Sequence, residues 1–387
     1  MESLPLKTRI SSWLLGVGLD LITRKDGTLN RFLFNLVDFR IPPCSEPING
    51  VNTYDVVLDP TRKLWFRVFD PTQCAVQDLT VMVFFHIGGY VTYSPDSVKY
   101  DHFCSKFARE LPAVVVSVDY RLAPEHRHPA QHDDGLDVLK FLDVEENRLK
   151  WLPENANISR CFIAGDSAGA HITHHVAQRA SQFHFQQLKE RTDSEIRLDG
   201  SARIVSLRHT DWFWNAFMPL GETYDRDHPI INVSGPNAMD ISKMDFPPTM
   251  VVVAGFDVLR DWQIRYYQWL KKSGKEAYLV DYPNMFHIFF LYPELSESDK
   301  LISEVKDFIH KVLNKIYAQA RVTSMSNVSS PLLLKSSRLG SMEKETKSSR
   351  VCSVRAGKPS GLVPNGGGGT TLKLGYDIEP WRLGVST

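Results

Sequence analysis

A serine enclosed by small residues, Ser167 in "GDSAG" (residues 165 to 169), is the part of this chain whose residue types point most directly to chemistry. The apolar run "CFIAG" leads into it and helix-competent residues follow. A strand-to-helix turn of that kind lifts the serine hydroxyl above a sheet. The helix N-terminus adds free N–H groups and a favourable dipole near negative charge developing there. A tight packing turn would need the same small residues, so the motif alone leaves both readings open.

Serine is unreactive at its own pKa and needs a base. Asp257 lies just beyond the apolar run "VVVAG", and His287 lies in "YPNMFHIFF", past the last apolar strand. Taken singly, Asp257 serves equally well as a helix cap, and His287 as a core histidine between Phe286 and Ile288. Together, in the order Ser, Asp, His, they make a relay in which Asp257 orients His287 and His287 deprotonates Ser167. The electrophilic part is expected from "VFFHIGGYV", where Gly88 and Gly89 can turn backbone N–H groups toward an oxyanion. Ala168, the residue after the nucleophile, offers a third N–H. His86 is expected to hold this loop through hydrogen bonds rather than to transfer protons.

These residues need strand ends to converge. "YDVVLD" and "LWFRVFD" read as an antiparallel pair of strands, and "LTVMVFF", "AVVVSVDY", "CFIAG" and "TMVVVAG" as strands covered on both faces, with "AYLVDYP" a shorter one. Helical patterns alternate with them: Leu136, Leu139, Phe141 and Leu142 mark one, and Leu301, Val305, Phe308, Ile309 and Val312 another. That alternation predicts an α/β fold, a mostly parallel central sheet covered by helices, with functional groups at the carboxyl ends of the strands. Leu29, Phe32, Leu33, Leu36 and Val37 form an early helical stripe that would serve as a lid or cover core.

The 387 residues, 43% of them hydrophobic, suffice for one large core. Lys plus Arg and Asp plus Glu are each 45, so charge gives no case for nucleic acid. Five scattered cysteines, Cys44, Cys74, Cys104, Cys161 and Cys352, form neither a metal-binding pair nor a convincing disulfide framework. No apolar run is long enough for a spanning helix, and "KTRISSWLLGVGL" lacks a small-residue cleavage site. A cytoplasmic or nuclear location without stable membrane insertion is expected. The expected organisation is a cap segment over residues 1–40, a catalytic domain over 41–318, and a mainly disordered Ser-, Gly- and Lys-rich tail over 319–387.

The chain resembles the plant carboxylesterase family of the hormone-sensitive-lipase-like α/β-hydrolases, which also contains the gibberellin receptors. The resemblance covers about residues 25 to 316 and rests on "HIGGY", "SVDYRLAPEHRHPA", "GDSAG", "DWFWNAFMPLG", "RDHP" and "AGFDVLRD". It implies an α/β-hydrolase fold with an N-terminal helical cap, a triad of Ser167, Asp257 and His287, and an oxyanion loop beginning at His86. It implies hydrolysis of a carboxylic ester through an acyl-enzyme, with no metal or organic cofactor. A small apolar ester is the expected partner; protein partners are left undetermined.

Three departures accompany the resemblance. Ile87 stands at the first glycine of the usual H-G-G-G, where it would resist a positive φ. Ala170 and His171 stand where the family commonly has glycine and asparagine. One central strand of the expected sheet is unaccounted for, since "QFHFQQLKERTDSEIR" follows the nucleophile helix directly, and "ARIVSLR" is at most a weak substitute. The alternative readings are a gibberellin-like receptor that binds without turnover and a catalytically impaired hydrolase-fold protein; those receptors lack the catalytic histidine, and His287 is present here.

Overall fold

The computed structural model describes residues 4–24, 26–72, 78–181, 204–220, 227–328 and 381–386. The chain divides into two compact units, residues 1–315 with 379–387, and residues 316–378. Within the first unit, β1 (Asn52–Asp59) and β2 (Leu64–Asp70) form the expected antiparallel pair. The apolar runs become β3 (Leu79–Phe85), β4 (Ala113–Asp119), β5 (Ala156–Gly165), β6 (Thr249–Phe256) and β7 (Ala277–Phe286). All seven residues of β3 are buried, which is why its sequence does not alternate. Fully burying each Val or Phe of such a strand contributes roughly 1.5–3 kcal/mol.

These strands and β8 (Trp381–Ser386) form one eight-stranded sheet in the order β1-β2-β4-β3-β5-β8-β6-β7. β2 meets β4 antiparallel, and from β4 to β7 every pairing is parallel. The central position unaccounted for in the sequence is therefore taken by β8. It pairs Ile163 with Gly384 and Ala164 with Val385 on one side, and Thr249 with Gly384 and Met250 with Val385 on the other. "ARIVSLR" does not substitute for it: Ile204 and Val205 are buried outside any strand, and Ser206 caps a helix. Most of the expected tail, residues 329–380, lies outside the described residues, as do residues 182–203 after the nucleophile helix.

The helices are α1 (Leu6–Ile22), α2 (Arg31–Val37), α3 (Val98–Glu110), α4 (Ala130–Asp143), α5 (Glu145–Trp151), α6 (Ala168–Ser181), α7 (Leu207–Phe217), α8 (Arg260–Lys272) and α9 (Ser296–Val328). The early stripe does not cover core as a unit. Leu29 and Phe34 are buried, whereas Phe32, Leu33, Leu36 and Val37 are exposed. Periodicity identifies an amphipathic helix but not which face meets the protein. α2 is instead fixed by Arg31, whose guanidinium pairs with Glu125 and donates to the Ala123 carbonyl at 2.7 Å. α1 is held through Thr8, which donates to Glu294 at 2.7 Å, and through Asp20 against Arg208 and His209. Among the described residues no helix is long and apolar enough to cross a membrane.

Candidate active site

Strand β5 ends at Gly165 and α6 begins at Ala168, so Ser167 occupies a turn of only two residues. Its φ of 53° is left-handed, a conformation that costs a non-glycine residue about 1–3 kcal/mol and persists only where the surroundings impose it. Close packing imposes it here: a Cβ on Gly169 would lie 1.9 Å from the Phe85 carbonyl oxygen. The helix thus seats directly on the end of β3, and only glycine permits that approach.

The loop after β3 turns at Gly88 (φ 131°) and Gly89 (φ 55°). A Cβ would meet Thr92 O at 2.1 Å in the first case and the Phe213 ring at 2.4 Å in the second. The strain expected at Ile87 does not arise, because positive φ begins one residue later. Ile87 keeps ordinary backbone geometry, and its N–H donates to Tyr100 Oη at 3.2 Å. Among the described residues the N–H groups of Gly88, Gly89 and Ala168 find no acceptor, as donors kept for an oxyanion require. His86 is fully buried, stacks on Tyr120 at 4.3 Å and donates from Nδ1 to the Ile87 carbonyl at 2.7 Å. Burial pushes its pKa down to about 4, so the ring is neutral and fits the expected loop-holding role.

Asp257 follows β6 and His287 follows β7, and their side chains meet at 2.7 Å between Oδ2 and Nδ1. Asp257 also accepts the Leu259 N–H at 2.9 Å and the Gln263 amide at 3.1 Å. Burial pushes its carboxyl up, but the His287 charge and these hydrogen bonds outweigh that and hold it below the usual range. For His287, burial pushes down, while the Asp257 charge and hydrogen bond and the Asp166 charge raise it above its ordinary value. The third link is not closed in this structure. His287 Nε2 is buried without a hydrogen-bond partner, so Ser167 Oγ does not yet bond to it. Catalytic hydrogen bonds are often long in the absence of substrate and tighten on binding.

Ser167, Ala168, Gly88 and Gly89 line an apolar cavity of about 200 Å³. Asp257 and His287 line a smaller one that shares Gln263 and Ile288 with it. Leu15 and Leu19 of α1 reach the large cavity, and Tyr90, Phe213 and Trp214 supply aromatic wall. Ala170 and His171, the two departures beyond Ser167, also face it.

Sequence reasoning missed a polar link beneath this site. Tyr100 donates to Asp166 Oδ2 at 2.6 Å, and burial pushes the Asp166 carboxyl up to about 7. It also missed a packed group of histidines. His132 of α4 and His171 and His175 of α6 lie together, with the Nε2 atoms of the latter two 3.2 Å apart. The spacing of four residues between His171 and His175 was the available signal, since it places both on one helical face.

Comparison with known proteins agrees with this fold. Residues 82–291 match a protein family of alpha/beta hydrolase fold. The gibberellin receptor GID1C of Arabidopsis thaliana is 37% identical over 331 residues, covering 79% of this chain and 94% of the receptor. Carboxylesterase 20 of the same plant is 29% identical over 321 residues, covering 76% and 96%. An ester hydrolase from the metagenome of Lake Arreo superposes with a TM-score of 0.63 at 25% identity, covering 80% of this chain and 99% of the hydrolase. On these matches and its central sheet, the chain belongs to the α/β-hydrolase superfamily that includes the carboxylesterases, and it is related to the plant GID1 gibberellin receptors.

Proposed function

We propose that this protein hydrolyses small apolar carboxylic esters through an acyl-enzyme on Ser167. The observation that carries the reading is the buried 2.7 Å Asp257–His287 pair, set at neighbouring strand ends beside the cavity that Ser167 lines. A buried imidazole held by a carboxylate is a general base waiting for a hydroxyl.

Substrate enters with its acyl carbonyl directed at the Gly88, Gly89 and Ala168 amides. Ser167 Oγ attacks the carbonyl carbon while His287 Nε2 takes the hydroxyl proton, and Asp257 stabilises the imidazolium. The oxyanion accepts the three N–H groups. Collapse breaks the ester C–O bond, and His287 returns the proton to the departing alcohol. Water then repeats the sequence, with His287 as its base, and releases the acid and Ser167. The apolar wall supports an apolar acyl or alcohol portion.

A receptor reading is favoured by the 37% identity to a gibberellin receptor and by the apolar wall that Leu15 and Leu19 of α1 add to the cavity. The two readings separate in one comparison. Stopped-flow and steady-state assays of short-chain aryl esters are run on wild type and Ser167→Ala, beside equilibrium binding of labelled gibberellin. Under the hydrolase reading, wild type shows a burst, and Ser167→Ala loses it with turnover down by about 10⁴-fold or more. Folded wild type without Ser167-dependent turnover, but with saturable hormone binding, would establish the receptor instead.

A further inference from the structure

Among the described residues His128, His132, His171, His174 and His175 crowd together at α4 and α6, and three of them make a donor set that ester hydrolysis does not use. His132, His171 and His175 each offer a ring nitrogen, and these atoms all lie within 4.8 Å of one another. His132 is fully buried and neither of its ring nitrogens has a hydrogen-bond partner. Leaving a buried polar group without a partner is destabilising, and this ring leaves two.

We infer that His132, His171 and His175 form a binding site for one zinc ion or a similar nitrogen-preferring divalent metal, set against the wall of the ligand cavity.

Geometry supports a metal over a simple stack of rings. Zinc binds imidazole nitrogen at about 2.0–2.1 Å, so two nitrogens of a tetrahedral site are about 3.3–3.4 Å apart. The Nε2 atoms of His171 and His175 are 3.2 Å apart. The spacing to His132 is wider, its ring stacks on His175 at 4.5 Å between centroids, and ligation requires that ring to turn; no hydrogen bond opposes the turn. A supporting contact is also present. Gln178 Oε1 lies 3.2 Å from His175 Nδ1, and accepting that N–H leaves Nε2 bare, as a ligating imidazole requires.

The proton account closes without an added base. With His175 Nε2 bare, the contact between the two rings is an N–H of His171 donated to His175. Metal binding moves that proton to Nδ1 of His171, which has no hydrogen-bond partner. The Ile230 carbonyl oxygen, 3.3 Å from His175 Nε2, accepts an N–H there in the other tautomer; metal binding displaces that proton and leaves the carbonyl as a further oxygen donor. Access is by way of the cavity, which His171 lines.

The test is metal binding by the full chain, stripped with a chelator and titrated with zinc against a chromogenic competitor. One zinc per chain is expected, with a thermal midpoint several degrees above that in chelator. Cobalt(II) should give a visible spectrum of the four-coordinate type. His132→Ala and His175→Ala should each weaken zinc binding at least tenfold, while the exposed His310→Asn should not change it. If a variant fails to fold, the cobalt spectrum of wild type still decides, since a six-coordinate spectrum would overturn the site. Zinc bound with equal affinity by folded His132→Ala and His175→Ala, or no stoichiometric zinc at all, would also overturn it.

Discussion

Tyr100 Oη donates to Asp166 Oδ2 at 2.6 Å and accepts the Ile87 N–H at 3.2 Å, so one phenol joins the nucleophile turn to the oxyanion loop. Asp166 precedes Ser167, and Ile87 precedes Gly88. One buried hydroxyl thus bridges the turn that carries Ser167 and the loop that carries Gly88 and Gly89, beside the direct packing of Gly169 on Phe85.

Replacing that hydroxyl tests the link. Tyr100→Phe leaves the Ile87 N–H and one Asp166 oxygen without their partner, a cost of roughly 1–3 kcal/mol in stability. If Tyr100 acts as a positioning residue, kcat should fall about tenfold while KM changes little, because misplacement acts on the transition state. Denaturant unfolding and steady-state ester kinetics measure the two effects. A stability loss with kcat unchanged would leave Tyr100 a purely structural residue.

The protonation of His287 should be visible in the rate. Its neutral form is the base, and the Asp257 charge and hydrogen bond outweigh burial to raise its pKa. kcat/KM should therefore rise with pH through a midpoint above the ordinary histidine value of about 6.5. Asp257→Asn removes the raising influence and leaves burial, so the midpoint should move to lower pH. The plateau should drop by about 10³–10⁴-fold, from loss of orientation and of imidazolium stabilisation. A midpoint that stays in place in Asp257→Asn would mean that another group is the titrating base.

The candidate residues Ser167, Asp257 and His287 could be picked out in the sequence because each stands beside a strong local signal. "GDSAG" follows an apolar run, and Asp257 and His287 each follow another, so strand ends could be counted without coordinates. Contacts between distant segments were not legible. Tyr100 and Asp166 are 66 residues apart, and His132 meets His171 only because α4 packs on α6. Ile87 misled in the opposite direction: its motif position suggested strain, but the turn begins at Gly88. β8 was hidden for a different reason. "WRLGVS" is short and lies in a Gly- and Ser-rich stretch, so its apolar content does not announce a central strand. Only the gap between β5 and β6 gives it a place.

That place makes the last residues of the chain the sharpest test of the sheet. β5 and β6 do not pair with each other; β8 stands between them. Ending the chain at Ile378 would leave facing strand edges unpaired across Ile163–Gly165 and Thr249–Val251. Ile163, Ala164, Met250 and Val251 are buried, so the exposed backbone groups would lie in apolar surroundings with no acceptor in reach. Unpaired edges of that kind also recruit strands from other molecules. The truncated chain should lose cooperative unfolding and associate, as read by calorimetry and light scattering. Val385→Pro in the full chain is the finer probe, since it removes one amide donor from the stretch that pairs with Ala164 on one side and Met250 on the other. It should lower the unfolding midpoint by several degrees. A synthetic peptide of residues 379–387 added to the truncated chain should restore part of the transition. If truncation instead leaves the midpoint unchanged, β5 and β6 close on each other without β8, and the central strand is dispensable.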